Sequence, residues 1–368
     1  MLGAMATSSR SPLARLMHRT VPAWLVRGLG GLMVAAGMSV PWVGEALGWW
    51  TREPASAEPG LPGPDVRDAS KVDKPREEAK TDAAGTEKPG EGVKDGAGGW
   101  YTGGPASGTM FAAATKERPA LVHVQGGEFV MGSRPTEEGR YDFEAQHRVR
   151  VSSFVMCETE VTQAQLKAVR GDLPEGCPGG CGDELPANNV SWFDALEYLD
   201  ALSAREGLRP CYEGRKGDEV PWDVACDGYR LPTEAEWEFA ARAGTVTAYS
   251  FGDDAARLGE FAWYSKNTEA IAKKVRTRSP NAWQLFDMHG NVWEWVWDSF
   301  DKHYGVDVNQ VTTDPRGPSG SGGDRVLRGG SFGNGPRGLR SAFRFRDGPS
   351  VRNWLFGFRC VRAARPQP

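Results

Sequence analysis

Two carboxylates flank a Gly-Asn turn within residues 281–297, NAWQLFDMHGNVWEWVW, at a spacing suited to holding a metal ion. Asp287 precedes the turn at Gly290 and Asn291, and Glu294 follows it, so two hard oxygen ligands and several carbonyls could converge on one cation. Calcium prefers such a mixture of carboxylate and backbone oxygens. The alternative is an ordinary turn, in which the carboxylates cap nearby N–H groups and the tryptophans fill a core.

The six cysteines all lie between Cys157 and Cys360, which suits a disulfide-bonded protein of an oxidising compartment. Several pairings of six cysteines are possible in principle. Local spacing favours two bonds that close short loops, which leaves the outermost cysteines for each other. The predicted bonds are Cys177–Cys181 across a Pro-Gly-Gly turn, Cys211–Cys226 across a polar loop, and Cys157–Cys360. We expect the last bond to clamp the two ends of the domain together.

The remaining titratable residues form no recognisable catalytic motif. The sequence contains no HExxH motif, no spacing of two histidines and one carboxylate, and no nucleophile elbow. His289 falls inside the Gly-Asn turn, where we expect a residue with satisfied hydrogen bonds rather than a catalytic base. The net charge of −4 gives no basis for binding nucleic acid, so we expect no such partner.

The N-terminal part of the chain divides into a leader and a tether. Several arginines precede an uncharged apolar run at residues 28–44, an order typical of a secretory signal, with a membrane anchor as the alternative. Residues 1–50 are therefore interpreted as a signal peptide or signal anchor. Residues 51–118 are rich in Pro, Gly and charge and predict a disordered linker, because they hold too few large apolar residues to offset the entropy of ordering. Residues 119–364 form the predicted folded domain.

Hydrophobic periodicity in the folded part mixes short strands with short helices. Helix starts are indicated by Ser or Thr residues that can act as N-caps. The predicted elements are strands at 122–132, 147–156, 325–327 and 356–362 and helices beginning near Thr162, Ser191 and Thr233. This pattern predicts an irregular α+β domain.

Four motifs follow one another along this domain. They are GYRLPTEAEWEFAARAG at 228–244, NAWQLFDMHGNVWEW at 281–295, RGGSF at 328–332 and GFRC at 357–360. Their order resembles the formylglycine-generating enzyme, or sulfatase-modifying factor, family over residues 119–364. The resemblance implies a C-type-lectin-like fold with few regular elements.

Enzymes of that family use two cysteines after the GGS motif to bind copper and activate oxygen. The matching segment here, residues 329–346, contains no cysteine. Asn334 stands at the position that resembles the first catalytic cysteine, and the second falls near Leu339. Neither side chain supplies the thiolate that ligates soft Cu(I). We therefore expect no copper and no copper-dependent formylglycine formation.

The resemblance also implies ligands for a structural calcium ion at the Gly-Asn turn. Asp287 and Glu294 would supply side-chain oxygens, and Gly290 and Val292 would supply backbone carbonyls. The mixture of ligand types suits Ca²⁺.

The loop after the GGS motif faces the binding groove in this fold. The residues predicted to line the groove are Ser331, Asn334, Arg337, Arg340 and Arg344. One hypothesis is that the arginines bind an anionic ligand such as a carboxylate, a sulfated sugar or an acidic peptide. The alternative is that they bond to loop carbonyls and acidic side chains and hold irregular backbone in place.

The functional expectation is an exported, non-catalytic binding or structural module with a structural calcium site. Its partner would be a protein, peptide or carbohydrate, and the apolar N-terminal segment could tether it to a membrane. The alternative is an oxidoreductase of altered chemistry, or a formylglycine-generating enzyme that acts on a partner protein.

Overall fold

The computed structural model describes residues 107–173, 177, 179–304, 310–318 and 323–364. Its strands are β1 (Thr109–Ala112), β2 (Leu121–Val124), β3 (Gly127–Met131), β4 (His147–Val151), β5 (Phe154–Cys157), β6 (Trp293–Ser299), β7 (Val311–Thr313), β8 (Arg325–Arg328), β9 (Phe345–Asp347), β10 (Phe356–Phe358) and β11 (Val361–Ala363). Its helices are α1 (Gln163–Arg170), α2 (Trp192–Arg205), α3 (Glu234–Arg242) and α4 (Leu258–Phe261), with 3₁₀ turns at Ala255–Arg257 and Pro336–Leu339. The predicted leader at 1–50 and most of the predicted linker lie outside the described residues.

The described strands form three small sheets. One has the order β1-β2-β5-β11, the second β10-β6-β8-β9, and the third β3-β4-β7. Two pairings are parallel, β10 with β6 and β4 with β7, and the other strand pairs are antiparallel. Some neighbours, such as β5 and β11 or β4 and β7, come from distant parts of the domain, so the fold depends partly on long-range pairing.

Two stretches predicted as single strands are each broken in two. The stretch 122–132 divides at Gly126 into β2 and β3, and the stretch 147–156 divides at Ser152 into β4 and β5. β2 pairs with β5 in one sheet, and β3 pairs with β4 in another. The two segments, 122–132 and 147–156, must therefore bend at the same place. A Cβ atom at Gly126 would lie 2.5 Å from the carbonyl oxygen of Val151, so this close crossing requires glycine.

The predicted strand at 356–362 is also divided, because the chain passes between sheets at Arg359 and Cys360. β10 runs parallel to β6, and β11 then pairs antiparallel with β5. The passage leaves the fully buried Arg359 between the two sheets, next to the start of β6.

The folded domain begins earlier than predicted. Strand β1 pairs with β2 although it lies inside the stretch 51–118 that was predicted as linker. Phe111 packs against the main hydrophobic core, which explains why the strand is held. A four-residue strand that follows a Gly- and Ser-rich stretch gives too little periodicity to be predicted.

The three predicted helix starts are confirmed as capping boxes. The side chains of Thr162, Ser191 and Thr233 accept hydrogen bonds from backbone N–H groups of α1, α2 and α3. In each helix, the side chain of the third residue accepts a hydrogen bond from the backbone N–H of the capping residue. Helix α2 packs its apolar face on the tryptophans of β6 in the larger core, and α3 packs on β3 and β4 in a second core. These two helices fix the position of β6.

Two of the predicted disulfides are confirmed. Cys157 at the end of β5 is bonded to Cys360, which lies 203 residues later, and Cys211 is bonded to Cys226. The first bond joins the opening and closing segments of the domain, as expected. Among the described residues, no helix is long and apolar enough to cross a membrane.

Candidate functional site

The Gly-Asn turn before β6 is fixed by backbone contacts. Gly290 has a φ of +95°, and a Cβ atom there would lie 2.2 Å from the carbonyl oxygen of Trp263, so no other residue fits. The N–H of Asn291 donates to that same carbonyl at 2.8 Å. Asp287 and Asn291 also adopt left-handed backbone conformations, with φ of 58° and 57°. The turn therefore holds Asp287 in one position relative to β6.

The turn is joined directly to the loop that follows β8. The Gly290 N–H donates to the Gly329 carbonyl at 2.9 Å, and the Asn291 carbonyl accepts from the Phe332 N–H at 2.7 Å. The structure thus brings together the two groups of residues that the sequence singled out, the predicted metal ligands and the predicted groove.

Glu294 is fully buried, and both of its oxygens are engaged by protein donors. Arg359 binds it in a bidentate ion pair, with two N–O distances of 2.6 Å. The indole Nε1–H of Trp237 donates to the same carboxylate at 2.7 Å. To ligate a cation, Glu294 would have to exchange one of these hydrogen bonds for the ion.

A third acid, Glu160, lies beside Asp287 and Glu294. Its carboxylate accepts long hydrogen bonds from the Asn291 side chain at 3.3 Å and from the Val292 N–H at 3.4 Å. Burial, reinforced by the negative charges of Asp287 and Glu294, raises the pKa of Glu160 well above its usual range. We call Glu160, Asp287 and Glu294 the acid cluster.

Asp287 is the member of this cluster that retains an unused oxygen. Its Oδ2 accepts from the Arg276 N–H at 2.7 Å, whereas its Oδ1 is buried with no hydrogen-bond partner in the described part of the chain. Burial raises the pKa of Asp287 to about 6, and the nearby charge of Glu294 adds to the shift. Such a buried, unpaired carboxylate oxygen is costly unless a cation or a proton binds it.

These observations test whether the predicted ligands fit calcium. The described residues hold no ready group of three or more His, Cys, Asp or Glu side chains that could hold a metal ion as they stand. In favour of an ion, three buried carboxyl groups lie near Arg359, and its guanidinium forms an ion pair with Glu294. Asp287 fits as a ligand without rearrangement, and Glu294 fits only after releasing a donor.

Sequence reasoning missed Glu160, Arg359 and Trp237. They come from the segment after β5, the link between β10 and β11, and helix α3, so no local spacing connects them with the turn. GFRC was used only as a family motif, although its arginine is the ion-pair partner of Glu294.

The predicted groove residues Ser331 and Asn334 bond to each other. The Ser331 hydroxyl donates to Asn334 Oδ1 at 2.6 Å, and the Ser331 N–H donates to the same oxygen at 3.0 Å. The Asn334 carbonyl accepts from the Ser265 N–H at 3.0 Å. Asn334, at the position resembling the first catalytic cysteine, therefore shapes the loop.

Leu339, near the position of the second catalytic cysteine, is a core residue. It is fully buried in a small hydrophobic cluster with Ala248, Tyr249, Leu258, Ala262 and Tyr264. Its carbonyl accepts a hydrogen bond from His289 Nδ1 at 2.8 Å. A side chain in this cluster contributes to packing rather than to redox chemistry.

The predicted groove arginines are bonded to protein groups. Arg340 is buried and binds Glu137 and Glu144 at 2.7–2.8 Å. Arg344 is buried and forms a bidentate pair with Glu234 at 2.6 and 2.8 Å.

Arg337 is exposed; it donates to the Gly139 carbonyl at 2.9 Å and lies 3.9 Å from the centre of the Tyr141 ring. The arrangement of the three arginines corresponds to the interpretation in which they hold irregular backbone in place.

His289 has satisfied hydrogen bonds, as expected from the sequence. Its Nδ1 bonds to the Leu339 carbonyl, and its Nε2 accepts from the Ser250 N–H at 3.1 Å. Burial lowers the pKa of His289 to about 4, so the ring is neutral at pH 7. A neutral, fully bonded ring is a structural residue here.

The structure differs from the third disulfide prediction. Cys177 and Cys181 are separate thiols, Cys177 half-buried and Cys181 exposed. Their side chains are hydrogen-bonded to each other, so the two sulfurs lie side by side, but no bond joins them. Spacing alone predicted their proximity and could not decide their oxidation state.

Comparison with known proteins assigns the chain to a family. The description of that family is sulfatase-modifying factor enzyme 1-like domain, and it matches residues 106–364. The chain belongs to this family. The match begins before β1, in agreement with the early start of the folded domain, and it confirms the irregular, C-type-lectin-like α+β fold.

Relatives with different names share this scaffold. Chaperone protein LppX of Paenibacillus barcinonensis is 32% identical over 209 residues, which cover 48% of this chain and 71% of LppX. Formylglycine-generating enzyme of Streptomyces coelicolor is 32% identical over 292 residues, which cover 69% of this chain and 92% of that enzyme. The solved structure of Treponema denticola variable protein 1 has a TM-score of 0.62 at 29% identity and covers 68% of this chain and 98% of its own. Membership of the family therefore establishes the fold, whereas the activity has to be inferred from the residues of the site.

Proposed function

We propose that this protein is an exported binding or structural module on the sulfatase-modifying-factor scaffold and does not carry out copper-dependent formylglycine formation. One observation carries the proposal. At the positions that resemble the catalytic cysteine pair, Asn334 bonds to Ser331 and Leu339 fills a hydrophobic cluster. Without thiolates at these positions, the loop lacks the ligands that soft Cu(I) requires.

Export is supported by the two disulfides. The bonds Cys157–Cys360 and Cys211–Cys226 persist in oxidising compartments and are rare in the reducing cytosol. The basic and apolar order of residues 1–50 adds to this argument. The partner would be a protein, peptide or carbohydrate, and a retained leader would tether the module to a membrane.

An enzymatic alternative is favoured by the relatives that carry the name formylglycine-generating enzyme. In this alternative, the same groove would oxidise a partner protein by altered chemistry. It would have to do so without the family cysteine pair.

A direct assay separates the two functions. The purified chain is incubated with a cysteine-containing sulfatase peptide, copper and oxygen, and the peptide is analysed by mass spectrometry, with the Streptomyces coelicolor enzyme as the positive control. We expect no aldehyde above the protein-free background. Conversion of the peptide cysteine to formylglycine would overturn the proposal.

We also infer that the acid cluster binds a structural calcium ion. Support comes from the unpaired Oδ1 of Asp287 and from the burial and grouping of three acids near Arg359, which raise the pKa of both Glu160 and Asp287. A divalent cation would offset that charge, and the carbonyls of Gly290 and Val292 would complete an oxygen-rich site. Glu294 would have to release a donor, as described above.

Calorimetry on chelator-treated protein tests this inference. We expect one Ca²⁺ site and weaker binding of Mg²⁺, because Mg²⁺ demands stricter octahedral geometry and gives up its water reluctantly. A flat titration with Ca²⁺ would contradict the inference.

A further inference from the structure

The six cysteines fall into two classes of accessibility. Four are bonded in pairs and buried: Cys157, Cys360 and Cys211 have no exposed surface, and Cys226 is 8% exposed. Cys177 and Cys181 are thiols at the surface. Reagents that reach the second class cannot reach the first without unfolding.

Backbone contacts of the described residues accompany the close approach of Cys177 and Cys181. The Gly180 N–H donates to the Cys177 carbonyl at 3.0 Å, and Gly179 and Gly180 both have positive φ. The two thiols are hydrogen-bonded to each other. A disulfide bond between them would therefore join two sulfurs that already lie next to each other.

One side of this turn is anchored to helix α1. The Gln163 side chain donates to the Gly180 carbonyl at 2.9 Å and accepts from the Gly182 N–H at 3.0 Å. These bonds flank Cys181 in sequence and hold its backbone against α1. Lys167, also on α1, lies near Cys177, and its positive charge offsets only part of the rise in the pKa of that thiol.

The turn borders an aromatic surface beside the GGS loop. A Cβ atom at Gly179 would lie 3.4 Å from the Trp354 ring and 3.5 Å from the Phe332 ring. These two rings pack edge to face at 5.7 Å, and Trp354 is 38% exposed. A polypeptide that rests on Trp354 would thus lie against Gly179, two residues before the exposed Cys181.

We propose that Cys177 and Cys181 form a thiol–disulfide exchange site that acts on accessible disulfides of other molecules. The proposal does not depend on the function proposed above, because it involves neither copper nor the acid cluster. Its substrate class is a disulfide that can approach the protein surface, in a small molecule or in an extended polypeptide.

The exchange proceeds in two balanced steps. The Cys181 thiolate attacks one sulfur of the substrate disulfide, which forms a mixed disulfide and releases the other substrate sulfur as a thiolate. Cys177 then loses its proton and attacks the Cys181 sulfur, which breaks the mixed disulfide and releases the second substrate thiol. Two electrons pass from the protein to the substrate, and the protons lost by Cys177 and Cys181 end on the two released thiols.

The order of attack follows from exposure. Cys181 is the exposed sulfur that a substrate can meet, and Cys177 is half-buried behind it. The hydrogen bond with Cys181, followed by burial, raises the pKa of the Cys177 thiol, which keeps Cys177 protonated until the mixed disulfide has formed.

A redox titration of the full chain provides the first test. The protein is equilibrated in buffers of reduced and oxidised glutathione, trapped with N-ethylmaleimide and mapped without reduction. We expect the Cys177–Cys181 bond to change from nine-tenths to one-tenth formed over about an 80-fold change in the ratio of squared reduced to oxidised glutathione. The two buried disulfides should stay intact throughout. If the surface pair stays reduced in oxidised glutathione, or opens only with denaturant, the proposal is wrong.

Single variants test the order of attack. In oxidised glutathione, Cys177→Ser should accumulate a glutathione adduct on Cys181, whereas Cys181→Ser should form its adduct on Cys177 about tenfold more slowly. Intact mapping of Cys157–Cys360 and Cys211–Cys226 controls for folding. Equal rates, or the reverse order, would contradict the assigned roles.

A comparison of two substrates identifies the source of the disulfide. The wild-type chain is mixed with oxidised glutathione or with a disulfide-linked dimer of a short peptide that contains one cysteine. Faster exchange with the peptide dimer would support a polypeptide substrate reached through Trp354, and faster exchange with glutathione would support a small molecule. Exchange with neither would overturn the proposal.

Discussion

The acid cluster and the arginine loop both bury charge, but they balance it differently. In the loop at residues 334–346, buried guanidinium groups meet carboxylates directly, as Arg340 does with Glu137 and Glu144. In the acid cluster, three carboxylates lie near Arg359, and one oxygen of Asp287 has no partner among the described residues. Buried charge is tolerated when it is paired and costly when it is not. The charges of the loop are therefore paired as they stand, whereas the acid cluster keeps one buried carboxylate oxygen without a partner among the described residues.

This difference separates two hypotheses that the sequence presented side by side. An anion-binding groove requires guanidinium groups with free donors, but the buried arginines of the loop are committed to protein acids. A cation site requires uncompensated oxygens, and in the acid cluster Asp287 Oδ1 is such an oxygen among the described residues. Substitutions in one of the two regions can therefore be compared with substitutions in the other.

The largest effect is expected from Arg340→Met in the balanced loop. Removing one partner of a buried ion pair leaves Glu137 and Glu144 buried without their guanidinium. We expect the free energy of unfolding to fall by about 3–5 kcal/mol. Urea denaturation measures it, and a loss below 1 kcal/mol would show that the loop does not depend on this pairing.

A smaller effect of opposite sign is expected from Asp287→Asn in the unbalanced cluster. Without metal at pH 7.5, the ionised Asp287 destabilises the fold because its pKa is raised to about 6 by burial. Replacing it with a neutral amide should raise the free energy of unfolding of chelator-treated protein by up to about 3 kcal/mol. Asp142→Asn is the matched control, since that side chain is fully exposed. A destabilised Asp287→Asn protein would refute the idea of excess charge.

The pH dependence of stability, compared between wild type and Asp287→Asn, shows the direction in which Asp287 acts. The folded-state pKa of Asp287 lies above its unfolded value, so its contribution to stability is present at low pH and is lost as pH rises toward about 6. His289 acts in the opposite direction, because its pKa is lowered to about 4 and stability is lost as pH falls below its unfolded value. The difference between wild type and Asp287→Asn isolates the first effect. It should grow from pH 4 to pH 7, and a constant difference would disprove it.

At neutral pH, bound calcium should offset the loss of stability that the ionised Asp287 causes. At a free Ca²⁺ concentration 100 times the dissociation constant, one site stabilises the fold by about 2.7 kcal/mol. We expect the rise in melting temperature to be present at pH 7.5, smaller at pH 5 where protons compete for Asp287, and absent in Asp287→Asn. A calcium response that persists in the variant would place the ion elsewhere.

The smallest effect is expected from Arg337→Met, the exposed arginine of the loop. Its hydrogen bond and ring contact lie at the surface, so its loss should change the free energy of unfolding by less than about 0.5 kcal/mol. This variant is the control for Arg340→Met, because both remove a guanidinium from the same loop. Equal losses in the two variants would remove the distinction between paired and exposed arginines.

Local signals in the sequence were sufficient for the helix starts and the fold class. Thr162, Ser191 and Thr233 each sit three residues before a partner that completes the capping box, so a short window contains the whole interaction. The Cys157–Cys360 bond was reached by excluding nearer pairs. The contact between the Gly-Asn turn and the loop after the GGS motif was not predicted and is seen in the structure.

Apart from the Cys157–Cys360 bond, the contacts between distant segments described here were not predicted from the sequence. The bend at Gly126 is forced by Val151, which belongs to another strand. The ion pair of Glu294 with Arg359 joins residues 65 positions apart, and Glu160 reaches Asn291 across 131 positions. Such pairs depend on which strands become neighbours, which periodicity within one strand does not reveal.

The Cys157–Cys360 bond also determines how the domain would respond to pulling. Strands β1 and β11 lie in the same sheet, and the bond closes a covalent loop over 203 residues between them. A force applied at Thr109 and Ala363 would pass through that bond, and the residues inside the loop would bear none of it. The chain outside the loop could extend by only about 3.5 Å per residue over roughly fifty residues. The acid cluster lies wholly inside the loop, whereas Glu137 and Glu144 lie outside it, so stretching the first strands would remove the ion-pair partners of Arg340 and leave the acid cluster in place.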